Sequence, residues 1–173
     1  MNVNQVKYSL LAGVAVVAGA IALQIPERAL ATPQSPGWVT EQPLTKATFD
    51  HIRIKSGNDD RGGNLVRLIA VDPSDVYVAK NTVAPGADSG WHSHPGPSLV
   101  IVKSGTATVY EGDDPSCTGV SYSAGSGFID AGGTHVHLVR NESATDALVT
   151  VAFQIIPQGA ARRIDAPKPS QCP

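Results

Sequence analysis

The sequence predicts an all-β fold, arranged as a single sandwich or barrel. From about residue 47 onward, short β-branched runs alternate with clusters of glycine, proline, asparagine and aspartate, as expected for strands joined by turns. No segment of this region sustains a helical period. With 173 residues, 42% of them hydrophobic and 16% charged, the chain has the composition of one globular domain, and it contains no internal repeat.

About eight or nine strands are expected from the alternation of apolar and polar residues. In HIRIK, Ile52 and Ile54 share one face, NLVRLIAVD is a more buried run, and DVYVAKNTVAP alternates again. Ser104 and Gly105 form a turn between the next two runs. The remaining strands are expected at SLVIVK, TATVYE, VSYS, AGSGFIDAGG, THVHLVRN and ALVTVAFQIIP.

Residues 1–31 have the features of an export signal peptide. Lys7 precedes the uncharged apolar run YSLLAGVAVVAGAIALQ, and the small residues Ala29 and Ala31 offer a cleavage site. An uncleaved membrane anchor is the alternative, although the apolar run is slightly shorter than the roughly 20 residues that span a bilayer. Either way the domain is expected outside the cytoplasm, in the periplasm, at the cell surface or secreted.

Cleavage after Ala31 would leave a mature chain with two parts. Residues 32–46 form a leader segment with little pattern, and residues 47–173 form the β-barrel domain. Once the signal is removed, no stable membrane anchor is expected.

The two cysteines, Cys117 and Cys172, are expected to form a disulfide, because an exported chain meets an oxidising compartment. The bond would tie the C-terminal tail APKPSQCP to the loop GDDPSCTG. Two free thiols are the alternative. The chain has no CxxC motif, so no thiol chemistry is assigned.

The charge balance disfavours several classes of partner. A formal net charge of -2 and a pI near 6.2 provide no broad basic surface for nucleic acid or anionic lipid. A small-molecule ligand is compatible with this composition. The apolar strands would also allow a homodimer, which nothing in the sequence fixes.

Four of the five histidines fall in two HxH pairs, His92 with His94 and His135 with His137. Side chains two residues apart on a strand point the same way, so each pair projects two imidazoles from one face. Neutral imidazole is the commonest metal ligand, and several of them converging would bind a divalent first-row metal. Polar histidines on a solvated strand face are the alternative. His51 stands apart and is expected on an exposed strand.

The stretch GADSGWHSHPGPSLVIVKSG resembles the first motif of the cupin superfamily, and GSGFIDAGGTHVHLVRN resembles the second. In the first motif Gly86, the two histidines and Gly105 match, but Ser98 stands where the family has a ligand glutamate.

The second motif allows two alignments. With one extra residue, Gly133, His137 and Asn141 match, with Ala131 in place of proline. Aligning on Gly132 instead makes His135 the family histidine and loses the asparagine.

The resemblance implies a small jelly-roll barrel with a metal in its mouth, held by His92, His94 and His137, with His135 in the place of the absent glutamate. An all-imidazole set disfavours Mg²⁺ and Ca²⁺ and favours zinc, iron, copper, nickel or manganese. Since histidine ordinarily titrates near pH ~6.5, metal loss is expected in mildly acidic buffer. Metal retained near pH ~5 would indicate an unidentified carboxylate ligand.

Other polar residues near the motifs are expected to have structural roles. Asp88, Ser89 and Asp130 could orient imidazole N–H groups, but loop residues of these types more often bond their own backbone. Arg162 and Arg163 are expected on a solvated face. No GxSxG motif and no phosphate-binding GK[ST] motif is present.

Two functions remain. The first is a metal-dependent enzyme acting on a small molecule, and the second is a non-catalytic module that binds a small ligand, a sugar or the metal itself. Fold alone does not separate them.

Overall fold

A computed structural model describes residues 30–42, 44–57 and 65–172. These residues contain thirteen strands and no helix, which confirms the predicted all-β fold. The predicted export signal lies outside the described residues except for Leu30 and Ala31. Among the residues described, no helix is long and apolar enough to cross a membrane.

The strands follow the sequence closely. Their bounds are β1 Trp38–Thr40, β2 Thr45–Phe49, β3 Ile52–Ser56, β4 Val66–Ala70, β5 Ser74–Val83, β6 His92–Ser93, β7 Ser98–Ser104, β8 Thr106–Glu111, β9 Val120–Ser123, β10 Gly127–Asp130, β11 His137–Arg140, β12 Leu148–Pro157 and β13 Ile164–Asp165. Nine of these strands coincide with the expected runs, whereas β1, β2, β6 and β13 were not anticipated.

Two antiparallel sheets make up the body of the domain. One has the order β1-β5-β12-β7-β10, with β2 also paired to β5, and the other has the order β13-β6-β11-β8-β9. Strands β3 and β4 form a separate two-stranded sheet. In the part of the chain described, no strand pairing joins the two larger sheets, so this cupin-like jelly roll is not a fully closed barrel.

The apolar core lies between the two larger sheets. Strands β5, β7, β10 and β12 contribute inward side chains from one sheet, and β8 and β11 contribute them from the other, because alternate residues of each strand face inward. The buried cluster consists of Val83, Ala87, Val102, Ala107, Val109, Phe128, Val139 and Leu148. Burial of these side chains stabilises one end of the sandwich, and polar side chains occupy the other end.

The leader segment contributes to the sheet. Its strand β1 pairs with β5 through Trp38 and Val83, and β2 begins inside it at Thr45. Thr32 is also fixed, because its Oγ1 accepts a 2.7 Å hydrogen bond from the backbone N–H of Trp91. The segment is thus tied to both sheets, despite its weak sequence pattern.

A disulfide joins Cys117 to Cys172, with the two Cα atoms 5.3 Å apart, as predicted. Both cysteines are buried beside Trp91, and Tyr110 packs against the same small cluster. Trp91 therefore packs in this cluster and does not line the cavity beside His92 and His94. The bond fixes the C-terminal tail against the loop before β9.

Removing the disulfide should lower stability. The bond closes a loop with a sequence separation of 55 residues, for which loop-closure entropy corresponds to about 4 kcal/mol, with typical measured losses of about 2–4 kcal/mol. We expect the Cys117→Ala/Cys172→Ala variant to lose stability in this range by urea unfolding. Reduction of the unmodified protein should reproduce the loss, and equal stability of the oxidised and reduced proteins would contradict a stabilising bond.

Candidate metal centre

The centre begins with the pairing of β6 and β11. His137 on β11 is the direct cross-strand partner of His92 on β6, and its other partner on β8 is Glu111. Direct partners on antiparallel strands project from the same face of a sheet. The register therefore places these side chains in one row on the sheet.

Three imidazoles meet at this row. The ring centroids of His92 and His94 are 4.7 Å apart, those of His92 and His137 are 4.4 Å apart, and those of His94 and His137 are 5.4 Å apart. Each ring offers a nitrogen within 4.8 Å of a nitrogen of the other two. The structure thus brings together three of the four histidines that the sequence indicated.

Backbone carbonyls orient two of the three rings. Nδ1 of His92 lies 2.9 Å from the carbonyl oxygen of Gly90, and Nδ1 of His94 contacts the carbonyl oxygen of Arg162. Since a carbonyl only accepts, each Nδ1 carries the proton and donates it. In a neutral ring this leaves the Nε2 lone pair free, the arrangement usual for metal-binding histidines.

Gly90 adopts a conformation that suits glycine. Its φ is +63°, and a Cβ atom there would lie 2.4 Å from the backbone oxygens of Thr32 and Pro33. The close approach of the leader segment therefore requires a residue without a side chain at the position whose carbonyl orients His92.

His135 lies outside the three-imidazole group, between a turn and the start of β11. Its Nε2 is 3.0 Å from Glu111 Oε2 and its Nδ1 is 3.2 Å from Asp130 Oδ1. With Asp130 and His137 it forms a second group of potential ligands. Its side chain is 27% exposed, compared with 4% for His137. His135 therefore bridges two carboxylates at the edge of the centre.

The opposite sheet faces the imidazoles with a row of polar side chains. Ser98 on β7 pairs directly with Asp130 on β10 and with Gln154 on β12. All three are buried, and Gln154 Nε2 donates to Ser98 Oγ at 3.2 Å. Ser98, which replaces the glutamate of the first motif, is thus engaged by an amide.

A cavity opens beside the imidazoles, and two arginines line it. Arg162 and Arg163 were expected on a solvated face, but both border this cavity together with His92 and His94. Arg162 Nε donates to Gln154 Oε1 at 2.9 Å. Sequence reasoning missed this pair because its position depends on the chain returning past the site after β12.

Burial sets the protonation of the centre. Desolvation lowers the pKa of His92 to about 2 and that of His137 to about 4, and it also lowers the pKa of His94. Desolvation raises the pKa of Glu111. Neutral imidazoles bind metal, so proton competition at these nitrogens begins at a lower pH than for ordinary histidine. Metal retention near pH ~5 would therefore not by itself indicate a carboxylate ligand.

The donor set fits a transition metal. Nδ1 of His137 and Oδ2 of Asp130 are buried without a hydrogen-bond partner among the described residues, and both belong to this cluster. Buried polar atoms are normally paired, so these two point to a group that completes the site. Imidazoles with one carboxylate favour zinc, iron, copper, nickel or manganese over Mg²⁺ or Ca²⁺.

Comparison with known families identifies the domain. Residues 80–153, which include His92, His94 and His137, match the family described as Cupin domain. The chain contains a cupin domain at these residues. The match spans β6 to β11, together with the last four residues of β5 and the first six of β12. A search of curated proteins finds no match to this cupin.

Several solved structures resemble this chain at low sequence identity. A protein with a double-stranded β-helix domain from Klebsiella pneumoniae shares 21% identity over 69% of this chain and 86% of its own, with a TM-score of 0.45. A cupin superfamily protein from Desulfitobacterium hafniense shares 12% identity over 67% of this chain and 80% of its own, with a TM-score of 0.41. A cupin domain from Bordetella pertussis shares 21% identity over 61% of this chain and 92% of its own, with a TM-score of 0.39.

The lowered pKa values predict how the stability of the chelator-treated protein depends on pH. His92 and His137 stay neutral when folded but take up protons near pH ~6.5 when unfolded. Below that pH the unfolded chain binds more protons, so the free energy of unfolding falls as pH falls. Between about pH 6 and 5, each buried histidine should contribute a loss of about 1 kcal/mol.

The measurement is urea unfolding of the wild type, His92→Asn and the control His51→Asn at several pH values. His92→Asn should remove about 1 kcal/mol from the loss in that interval, and the exposed His51 should leave it unchanged. Identical pH dependence in all three proteins would contradict a buried neutral His92.

Proposed function

We propose that this cupin is exported and binds one divalent transition metal through His92, His94 and His137, next to a cavity that admits a small molecule. The observation that carries the proposal is the convergence of three imidazoles, two buried and that of His94 half-buried, two of which donate Nδ1–H to backbone carbonyls. Their ligand nitrogens lie within 4.8 Å of one another, close enough for one ion to bind all three.

A bound divalent metal would supply Lewis acidity to a molecule in the cavity. The protein's own residues would bind and orient that molecule. Arg162 is held in place by its hydrogen bond to Gln154 and by the ring of Tyr77, whose centroid is 5.1 Å from its guanidinium carbon. The guanidinium groups of Arg162 and Arg163 give the cavity wall positive charge, which favours a small molecule that carries negative charge.

A metal-dependent enzyme is the first candidate function. Glu111 Oε2 lies 3.0 Å from His135 Nε2 beside the centre, and desolvation raises the pKa of this carboxyl. Such a pair can hold a proton at the edge of the centre. Glu111 on β8 thus offers a carboxylate beside the centre, although the first motif lacks its own at Ser98.

A non-catalytic module that binds a small ligand, a sugar or the metal itself is the second candidate. The hydrogen bonds among Ser98, Gln154 and Arg162 favour it, because they engage the polar groups of the cavity wall with one another. The two functions differ in whether the loaded metal retains exchangeable water. Water-proton relaxation of the Mn²⁺-loaded protein measures this directly, with rapid exchange supporting an open position for chemistry.

Export is supported by the disulfide between Cys117 and Cys172, because such bonds persist mainly in oxidising compartments outside the cytoplasm. The predicted signal peptide adds to this argument. The expectation of a homodimer stays a prediction.

Elemental analysis of tag-free protein should find one transition-metal ion per chain. His92→Ala/His94→Ala should lose it, because the variant removes two of the three converging imidazoles. His51→Ala is the matched control, since His51 is an exposed histidine outside the cluster, and it should retain the metal.

No metal in the wild type, even after incubation with Zn²⁺ or Fe²⁺ near pH ~8 where imidazole is neutral, would contradict the proposal. Equal metal content in the wild type and the double variant would place the metal elsewhere.

A further inference from the structure

The first cupin motif of this chain lacks its carboxylate, because Ser98 occupies that position. A serine hydroxyl brings no charge, and this one already accepts a hydrogen bond from Gln154. The structure nevertheless contains a buried carboxylate beside it. Asp130 on β10 is the direct cross-strand partner of Ser98, so the two side chains leave the sheet on the same face.

We propose that Asp130 is a direct metal ligand of this cupin and that it supplies, from the neighbouring strand, the carboxylate that the first motif lacks at Ser98. The inference rests on the proposed metal-binding function. It assigns the fourth protein ligand to a residue that the motif pattern does not identify.

The two carboxylate oxygens of Asp130 have different surroundings. Oδ1 accepts the backbone N–H of Gly132 at 3.0 Å and lies 3.2 Å from His135 Nδ1. Oδ2 is buried, and no described residue gives it a hydrogen bond. His94 Nε2 lies 4.0 Å from Oδ2. Oδ1 is therefore anchored, and Oδ2 is left free toward the imidazoles.

The separation of Oδ2 from His94 Nε2 suits two ligands of one ion. Atoms that each lie about 2.1 Å from a metal are about 3.0–4.2 Å apart for bond angles between about 90° and 180°. The observed 4.0 Å lies within this range. It is too long for a hydrogen bond, so the two atoms do not satisfy one another directly.

Burial adds a second argument. The side chain of Asp130 is 4% exposed, and its Oδ2 has no hydrogen-bond partner among the described residues. A buried carboxylate oxygen without a hydrogen bond needs a compensating cation. A divalent ion between Oδ2 and the imidazoles would satisfy the lone pairs of both.

A purely orienting role for Asp130 is the competing explanation. It would require a hydrogen bond from the ring of a ligand histidine, but His137 Nδ1 is 3.6 Å from Oδ1 and has no hydrogen-bond partner in the part of the chain that the structure describes. The orienting bond that the carboxylate does make is to His135, which lies outside the three-imidazole group. The experiment separates the two roles by moving the carboxylate to the other strand.

The test measures Zn²⁺ affinity by competition with a chromophoric chelator for four full-length proteins: wild type, Asp130→Asn, Asp130→Asn/Ser98→Glu and Asp130→Asn/Ser98→Gln. Asparagine keeps the shape of the side chain and an oxygen for Gly132 but removes the charge. We expect Asp130→Asn to weaken Zn²⁺ binding by about 100-fold or more, at or above the upper end of losses for outer-shell changes.

Restoring the carboxylate at Ser98 should recover at least about tenfold of that affinity, whereas the uncharged Ser98→Gln version should not. An orienting role would not be rescued, because it depends on the bond between His135 and the carboxylate on β10, whereas Ser98 lies on β7. Thermal unfolding of the chelator-treated variants confirms that each is folded.

Each outcome of this experiment either supports or overturns the assignment of Asp130. Zn²⁺ affinity of Asp130→Asn within about threefold of wild type overturns the assignment of Asp130, while leaving the three-histidine site intact. A loss in Asp130→Asn that neither second-site variant recovers, in folded proteins, supports an orienting role and also overturns it. Wild type without Zn²⁺ affinity overturns both this assignment and the proposed metal-binding function.

Discussion

The register between β6 and β11 places His137 directly opposite His92, and the geometry of the centre depends on that pairing. A shift of one residue would turn the imidazole of His137 to the other face of the sheet. Strand β6 has only two residues, so longer-range contacts hold it in position. The backbone N–H of Trp91 bonds Thr32, and the carbonyl of Trp91 accepts from Ala166 at 2.9 Å. The leader segment and the C-terminal tail thus fix the strand that begins with the first ligand.

Backbone groups hold the polar side chains of the centre in place. Each anchored polar atom of the centre has a backbone partner: Gly90 for His92, Arg162 for His94 and Gly132 for Asp130. The remaining atoms of these side chains are free, and they converge from both sheets. Backbone groups are rigid partners, so this arrangement preorganises a ligand set before any ion arrives. The same rigidity keeps the desolvated imidazoles and the desolvated carboxylate close together.

The sequence predicted the architecture better than it predicted the site. Long strands such as β5 and β12 were visible because alternation is a local signal. Strands β2 and β13 were not, since all five residues of β2 are exposed and β13 exists only through its pairing with β6. The HxH spacing correctly suggested that His92 and His94 lie together, because two residues suffice to set that geometry.

The rest of the site depends on long-range register. Asp130 faces Ser98 only because β10 pairs with β7, and nothing local to either residue signals that relation. His135 lies outside the strand, between a turn and the start of β11, so the alternation argument that grouped it with His137 does not apply there. The arginines at the cavity come from the chain beyond β12, and sequence spacing gives no indication of that return.

The central claim is that one ion lies between the imidazoles of one sheet and the carboxylate of the other. Anomalous diffraction at the metal absorption edge of a crystal of the loaded protein tests it most directly. We predict a single peak within bonding distance of His92, His94, His137 and Asp130 Oδ2. A peak at the second group of potential ligands, within bonding distance of His135 but not of His92 or His94, would contradict the claim.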